Sequence, residues 1–428
     1  MPRSRSVDPI ASLRHRGFLI YLIAGLISNA GSQMRIVAVQ WEITLREPGV
    51  REQALFLGYV GLTLMLPVLL FALPAGAAAD RFSRRWLIMA AQLGLAACGV
   101  GLAWASWTTA PMIYIYLLLF GTGTFRALGW PASSAIVAGL VPATTFSNAA
   151  TWRSNAYQLA STLGPLAGGV LLAWWSPVVV FLIDAASSVI LAICMLFVRP
   201  KKQERTVEPH SWRALVQGIH FLRRQPVILS TMTLDMVAVL FGGVVALLPI
   251  FARQYFPNPD QAAVALGWMR AMPAIGSIIM GFIIAMRPPI RRGGRAILIT
   301  VFVFGIATII FGVTHSYLIA LAALFTLGAA DNISVVIRQT VLQLMTPDSM
   351  RGRVTAVSVI FIGSSNELGE FESGVAASFL GLGPSVVFGG LMTLVTVAVT
   401  AVIWPELVQL GSLEHLRPPE APEGEAVA

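Results

Sequence analysis

The 428-residue chain is 56% hydrophobic and only 11% charged, well below the roughly 25% charged share of soluble proteins. These values exclude an ordinary soluble protein and predict a membrane protein. Charge-free apolar stretches, such as 54–79 and 296–330, favour transmembrane helices over the alternating strands of a barrel. The net charge of +9 lies mainly in the connections between apolar segments, which indicates membrane topology and argues against a nucleic-acid partner.

Twelve segments are long and apolar enough to cross a membrane. The first begins after the basic N-terminal tail and runs to about Trp41, too far for the apolar region of a signal peptide, so we interpret it as a crossing. The predicted crossings are 18–42, 54–79, 86–106, 111–139, 148–173, 178–198, 227–252, 262–286, 296–313, 317–345, 354–381 and 384–405.

Lys and Arg residues in the connections are concentrated on one side of the membrane. The other side has only Arg46, Arg51 and Arg253. The positive-inside rule therefore predicts a multi-pass protein of a bacterial-type cytoplasmic (inner) membrane with both termini in the cytoplasm.

The longest polar stretch separates crossings 6 and 7, and part of it has the spacing of an amphipathic helix on the membrane surface. A shift of 205 residues places Phe120 on Phe325 and Gly123 on Gly328, which indicates an internal repeat. We therefore predict an all-α membrane protein with twelve transmembrane helices in two pseudo-symmetric six-helix bundles. The predicted parts are an N-terminal tail (1–17), a first bundle (18–198), a linker (199–226), a second bundle (227–408) and a C-terminal tail (409–428).

The connection between crossings 2 and 3 contains Gly-Ala-Ala-Ala-Asp-Arg-Phe-Ser-Arg-Arg at 76–85. This string resembles motif A of the major facilitator superfamily, although Ser83 stands where the family usually has glycine. The small residue allows close helix approach, and the acid can pair with arginines or cap a helix. The resemblance implies an inner gate formed by Gly76, Asp80, Arg81, Arg84 and Arg85.

Crossing 5 contains a second motif, Leu-Gly-Pro-Leu-Ala-Gly-Gly at 163–169. It resembles motif C of the export (drug/proton antiporter) branch of that superfamily and implies a helix bend at Gly164, Pro165, Gly168 and Gly169. Ordinary packing of small residues is the alternative interpretation. The whole chain resembles the branch that contains enterobactin exporters and macrolide efflux proteins, which implies a proton gradient as the energy source, no cofactor and a monomer.

Ionisable residues inside the crossings are candidate functional residues, because each costs about 2.5 to 3.5 kcal/mol on insertion scales. In the fold that the chain resembles, almost all of them would lie on the eight helices that line or flank the central cavity. Proton-coupling candidates are Asp235, Glu367, Glu370 and Glu372, and cavity or substrate candidates are Arg35, Arg126, Trp130, Arg270, Asp331 and Arg338. A structural ion pair is the alternative for each acid, and Asp184 on crossing 6 is better explained as structural.

Catalytic signatures are missing: the chain has no Walker A loop, GxSxG, HExxH or zinc-ligand spacing. The two cysteines, Cys98 and Cys194, lie inside apolar segments and form no CxxC motif. We therefore expect no enzyme and no metal site, but a secondary transporter that exports an amphipathic drug-, siderophore- or lipid-like molecule by alternating access, with protons and membrane lipid as partners. The alternatives are a proton-independent facilitator or importer, a lipid translocator, or a receptor without transport.

Overall fold

The computed structural model describes residues 8–200, 212–287 and 290–412. A few side chains within the helices, Asp80 among them, lie outside this description. The described residues form helices, turns and loops and no strand. The prediction of an all-α protein is confirmed.

In the described part of the chain, twelve long helices follow one another. Ten are long and apolar enough to span a membrane, while the fifth and eleventh have sufficient length, 29 and 33 residues, but more polar side chains. They are α1 (Arg16–Arg46), α2 (Val50–Arg81), α3 (Arg84–Trp107), α4 (Met112–Ala135), α5 (Phe146–Trp174), α6 (Pro177–Phe197), α7 (Pro226–Phe241 and Leu248–Tyr255), α8 (Pro259–Ala285), α9 (Gly293–Val313), α10 (Tyr317–Met345), α11 (Asp348–Leu380) and α12 (Leu382–Ile403).

Short helices lie between or beside the long ones. The predicted linker contains the helix Trp212–Arg223, which packs on α11. The remaining short helices are Ser12–Arg14, Val137–Leu140, Ala143–Thr145, Val244–Leu247 and Pro405–Val408.

Helix α7 is broken, although its sequence predicted one continuous crossing over 227–252. Its first part ends at Phe241, and Gly242 and Gly243 lead into the 3-10 turn Val244–Leu247. Two successive glycines weaken a helix, and here α11 packs closely: a Cβ atom on Gly243 would lie 2.5 Å from the carbonyl oxygen of Gly369. The apolar length was therefore a correct signal for the crossing but not for its continuity.

The chain divides into two compact units. Unit 1 comprises the described residues of 1–48, 63–209 and 251–271. Within it, α1 packs on α5 and α6, and α3 packs on α4 and α6. Phe18, Ile136 and Met195 belong to a buried apolar cluster of this unit.

Unit 2 comprises the described residues of 49–62, 210–250 and 272–428. Here α9 packs on α10 and α12, and α11 packs on α7 and α12. Ile228, Ile337 and Val354 belong to its buried apolar cluster. Each unit thus includes short pieces of helix from the other half of the sequence.

Glycines bring these pieces of helix close to their neighbours in the same unit. In unit 1, a Cβ atom on Gly169 of α5 would lie 2.8 Å from the Cα atom of Gly267 on α8. In unit 2, a Cβ atom on Gly374 of α11 would lie 2.6 Å from the Cα atom of Gly58 on α2. Both crossings bring the backbones so close that a side chain fits only if the helices move apart.

The internal repeat is also visible in helix packing. A Cβ atom on Gly123 of α4 would meet Pro67 of α2 at 3.0 Å. Its repeat partner Gly328 of α10 packs in the same way on Pro273 of α8. The repeat predicted from the sequence therefore aligns residues with equivalent contacts in the two units.

The residues before α1 are fastened to the start of α5. Asn148 accepts hydrogen bonds from the Ser12 backbone N–H and hydroxyl, at 3.1 and 2.5 Å. The Asn148 side chain and the Trp152 indole N–H donate to the carbonyl oxygen of Pro9, both at 2.9 Å. This segment thereby joins α1 to α5 within unit 1.

We predict that Gly267→Ala lowers the melting temperature of the purified protein, because the new Cβ atom would lie 2.8 Å from the carbonyl oxygen of Pro165. Overpacking of this kind costs roughly 1–3 kcal/mol. Gly25→Ala is the matched control, since nothing lies within 4 Å of its added Cβ atom. Tryptophan fluorescence during heating measures both variants, and equal melting temperatures would contradict the close crossing.

Candidate functional site

An ion pair is buried in unit 1. Arg35 of α1 donates to a carboxylate oxygen of Asp184 on α6 at 2.5 Å, and their side chains are 5% and 0% exposed. A further helix, α3, approaches the ion pair at a glycine: a Cβ atom on Gly99 would lie 3.3 Å from Asp184. Arg35, a predicted cavity residue, is thus held by a buried carboxylate.

A second buried ion pair lies in unit 2. Arg338 of α10 donates to the Oδ2 atom of Asp235 on α7, and both side chains are almost fully buried. The Ser334 hydroxyl donates to the other oxygen, Oδ1, at 3.5 Å. Arg338, a predicted cavity residue, is thus paired with Asp235, a predicted proton-coupling residue.

A narrow cleft adjoins this pair. It lies among α7, α9 and α10, and its polar wall consists of two carboxylates and two hydroxyls. The lining residues are Asp235, Ala238, Val239, Thr300, Val301, Phe304, Ala330, Asp331 and Ser334. Asp331 is half-buried, whereas Asp235, Thr300 and Ser334 are buried.

The C-terminal part of α1 is polar and lies beside the segment 251–271 of unit 1. Arg270, another predicted cavity residue, donates to the side-chain oxygen of Gln40 at 2.5 Å. Arg253 donates to the carbonyl oxygen of Thr44. Arg46 pairs with Glu42, four residues earlier. These contacts hold the end of α1 on Arg253, in the second part of α7, and on Arg270 of α8.

The predicted gate motif ties helix ends together within unit 1. Arg84 donates to the carbonyl oxygen of Ala135, the last residue of α4, at 2.9 Å. Arg85 donates to the carbonyl oxygen of Leu196 near the end of α6, also at 2.9 Å. Arginine at these positions satisfies carbonyl groups that helices leave unpaired at their C-termini. Gly76 is buried, Arg81 is exposed, and the Asp80 side chain lies outside the described residues.

The predicted proton-coupling acids of α11 lie apart from the cleft. A Cβ atom on Gly61 of α2 would lie 2.5 Å from the Glu367 carbonyl oxygen and 2.9 Å from the Glu370 Cβ atom. Glu372 is half-buried and accepts a hydrogen bond from the Ser373 hydroxyl at 3.5 Å. Glu367 and Glu370 thus border α2, while Asp235 is beside α10.

The remaining predicted residues lie on α4 and α5. Arg126 is half-buried, and Trp130 is 61% exposed. The bend motif packs on α1: a Cβ atom on Gly164 would lie 2.7 Å from Gln33 Cβ, and one on Gly168 would lie 3.3 Å from Met34 Cα. Helix α5 continues through Pro165 as far as Trp174.

Sequence analysis missed the two hydroxyls of the cleft, Thr300 and Ser334. Ser334 had a detectable signal, because it lies three residues after Asp331 and four before Arg338 and therefore shares their helix face. Thr300 had none, since it lines the cleft only through the packing of α9 on α10, and its hydroxyl donates to the carbonyl oxygen of Ala296 in its own helix at 2.6 Å. In the described part of the chain, no three His, Cys, Asp or Glu residues are grouped to hold a metal ion.

Comparisons with known proteins agree on one family. The model of the family described as transmembrane secretion effector matches residues 7–422. An uncharacterized MFS-type transporter, YfiS of Bacillus subtilis, is 25% identical and covers 89% of this chain and 93% of its own. The enterobactin exporter EntS of Citrobacter koseri is 25% identical and covers 96% of each chain.

A solved structure shows the same fold. It is that of a bacterial homologue of the human lysosomal transporter Spinster, in an inward-facing and unoccupied conformation. It superposes with a TM-score of 0.69 at 18% identity and covers 97% of this chain and all of its own. The twelve-helix fold class predicted from the sequence is therefore confirmed.

We predict that Asp184→Leu and Arg35→Met each destabilise the protein strongly, since either change leaves an uncompensated buried charge, at a cost of about 3–5 kcal/mol. The double variant Arg35→Met/Asp184→Leu should regain most of this loss, because it removes both charges. Melting temperatures of the four proteins measure the effect.

The exposed pair of Arg14 and Asp8 provides the control, with side chains 70% and 36% exposed. Arg14→Met should change the melting temperature little, because exposed ion pairs contribute about 0–1 kcal/mol. Single Arg35 and Asp184 variants as stable as Arg14→Met would show that the pair is not buried.

Proposed function

The chain belongs to the transmembrane secretion effector family of the major facilitator superfamily, and we propose that it is a proton-coupled exporter of an amphipathic small molecule. The family consists of transporters rather than enzymes, so a small-molecule substrate follows from membership. The ten apolar helices agree with a multi-pass membrane protein. We place it in the cytoplasmic membrane with both termini inside, on the strength of the Lys and Arg distribution.

The proposal of export rests on the relatives. Several of them are named enterobactin exporters, and the motif at 163–169 resembles that of the export branch. A siderophore-like molecule with apolar and polar parts is accordingly the substrate class that we propose. At 25% identity the relatives support this class and not one particular compound.

The buried pair of Asp235 and Arg338 is the observation that supports proton coupling. An ion pair in low dielectric is stable only while both partners are charged. A proton that binds Asp235 forms an O–H bond, neutralises the carboxylate and leaves Arg338 without its counter-charge. Protonation would therefore change the relative stability of two conformations of α7 and α10, which is what coupled transport by alternating access requires.

We predict that Asp235→Asn abolishes proton-driven transport but spares exchange. The proteoliposomes are loaded with a pH-sensitive dye. In the wild type, an imposed pH gradient should drive substrate across the membrane in one direction while protons flow in the other. Asparagine can hold a neutral hydrogen bond in place of the carboxylate but cannot carry a proton. Counterflow of labelled substrate, which requires no net proton movement, should persist.

Enterobactin is the first compound of the test panel, because relatives of this chain are named as its exporters. Asp260→Asn, an exposed acid at the start of α8, makes the same chemical change and should behave as wild type. If a pH gradient leaves transport of every compound unchanged in the wild type, the protein is a facilitator and the coupling proposal is wrong. Loss of counterflow in Asp235→Asn would instead assign Asp235 to substrate binding.

A further inference from the structure

We infer that Asp331 is the proton donor to Asp235, and that the proton passes through the cleft among α7, α9 and α10. This inference rests on the proposed function, since it describes how the coupling proton reaches its site. The sequence had suggested instead that Asp331 lines a substrate cavity. The argument follows from the order of polar groups along α10.

Three polar residues of α10 lie on one face of the helix. Asp331, Ser334 and Arg338 are spaced three and then four residues apart, which corresponds to rises of about 4.5 and 6 Å. Asp235 of α7 contacts the second and third of them: Arg338 pairs with its Oδ2 atom, and Ser334 donates to its Oδ1 atom. Asp331 therefore lies on the opposite side of Ser334 from the ion pair.

The two carboxylates open into the same cleft. Asp235 and Asp331 both line it, and the hydroxyls of Ser334 and Thr300 complete its polar wall. The rest of the α9 wall, Val301 and Phe304, is apolar. Arg338 contacts the Oδ2 atom of Asp235, whereas Ser334 contacts the Oδ1 atom. The cleft is thus lined by both carboxylates, of which Asp235 is paired with Arg338.

The two acids are buried to different degrees. Asp235 is 5% exposed, whereas Asp331 is half-buried. The free space in the cleft has room for about one water molecule. Water between the acids would therefore have room and would find carboxylate and hydroxyl partners on both sides.

The proton transfer balances without any further reactant. The O–H bond of protonated Asp331 breaks as intervening water or the Ser334 hydroxyl accepts that proton and releases its own toward Asp235. An O–H bond then forms on Asp235, and Arg338 loses its counter-charge. Asp331 is left as a carboxylate that takes up the next proton from water. A hydroxyl serves here because it both accepts and donates.

The test follows protonation of Asp235 directly and needs no substrate. Protein in lipid nanodiscs is subjected to a downward pH jump, and time-resolved infrared spectroscopy records the carbonyl stretch of protonated carboxyl groups. The band that is missing in Asp235→Asn belongs to Asp235. We expect Asp331→Asn to slow the appearance of this band at least about a hundredfold, the low end of the range when a positioned proton donor is removed.

Conservative variants separate proton transfer from structure. Asp331→Glu keeps a carboxyl group and should restore much of the rate. Ser334→Ala should slow the band, because it removes the hydroxyl that contacts Asp235, and Ser334→Thr, which keeps a hydroxyl, should restore much of the rate. Asp260→Asn, far from the cleft lining in sequence and exposed, should leave the rate unchanged, and melting temperatures verify that each variant is folded.

An unchanged rate in folded Asp331→Asn would overturn the inference while leaving Asp235 as the proton carrier. Equal slowing by Asp331→Glu would also overturn it, because the carboxyl group would then be irrelevant. If the wild type shows no Asp235 band at any pH, the proposed coupling through Asp235 itself is wrong. The two proposals therefore fail on different observations.

Discussion

Buried charge is the constraint on which the rest of this structure depends. An ionised side chain in the membrane interior needs a partner of opposite charge, hydrogen bonds or water. Arg35 and Arg338 each meet this need with an aspartate from a different helix. Each pair therefore fixes the rotation of two helices about their axes, because a small turn of either would separate the charges.

The two pairs have different surroundings, and this difference suggests different roles. Asp184 is fully buried beside the glycine of a third helix, so its pair is closed and suited to holding unit 1 together. Asp235 faces a cleft that contains a second carboxylate and two hydroxyls. A closed pair favours one arrangement, whereas a pair beside a polar cleft can exchange its proton and so favour two arrangements in turn.

The sequence predicted the helices well because crossing a membrane demands apolar length, which is a local property. Of the ionisable proton-coupling and cavity candidates that it named, Arg35, Asp235 and Arg338 are buried, and the others that the structure describes are half-buried. It could not predict the pairing of Asp235 with Arg338, since 103 residues separate them and only the packing of α7 on α10 brings them together. The spacing of Asp331, Ser334 and Arg338 predicts a common helix face. It does not predict which helix packs on that face.

The break in α7 is a second feature that the local sequence did not predict. Gly242 and Gly243 were visible, yet glycine is common in membrane helices, and the apolar run continued past them. The break is explained by the close backbone of α11 at Gly369, a contact between distant parts of the chain. Local composition therefore gave the position of the weak point, and tertiary packing determined that the helix ends there.

The composition of the two units has a consequence for biosynthesis. Unit 1 includes residues 251–271, and unit 2 includes residues 49–62, so neither is complete when only the first six helices have left the ribosome. Until α8 is made, the glycine face of α5 at Gly169 lacks its neighbour Gly267. The N-terminal half is therefore made before the partner of this face. If the two halves were expressed as separate polypeptides, they could complete these contacts only by associating.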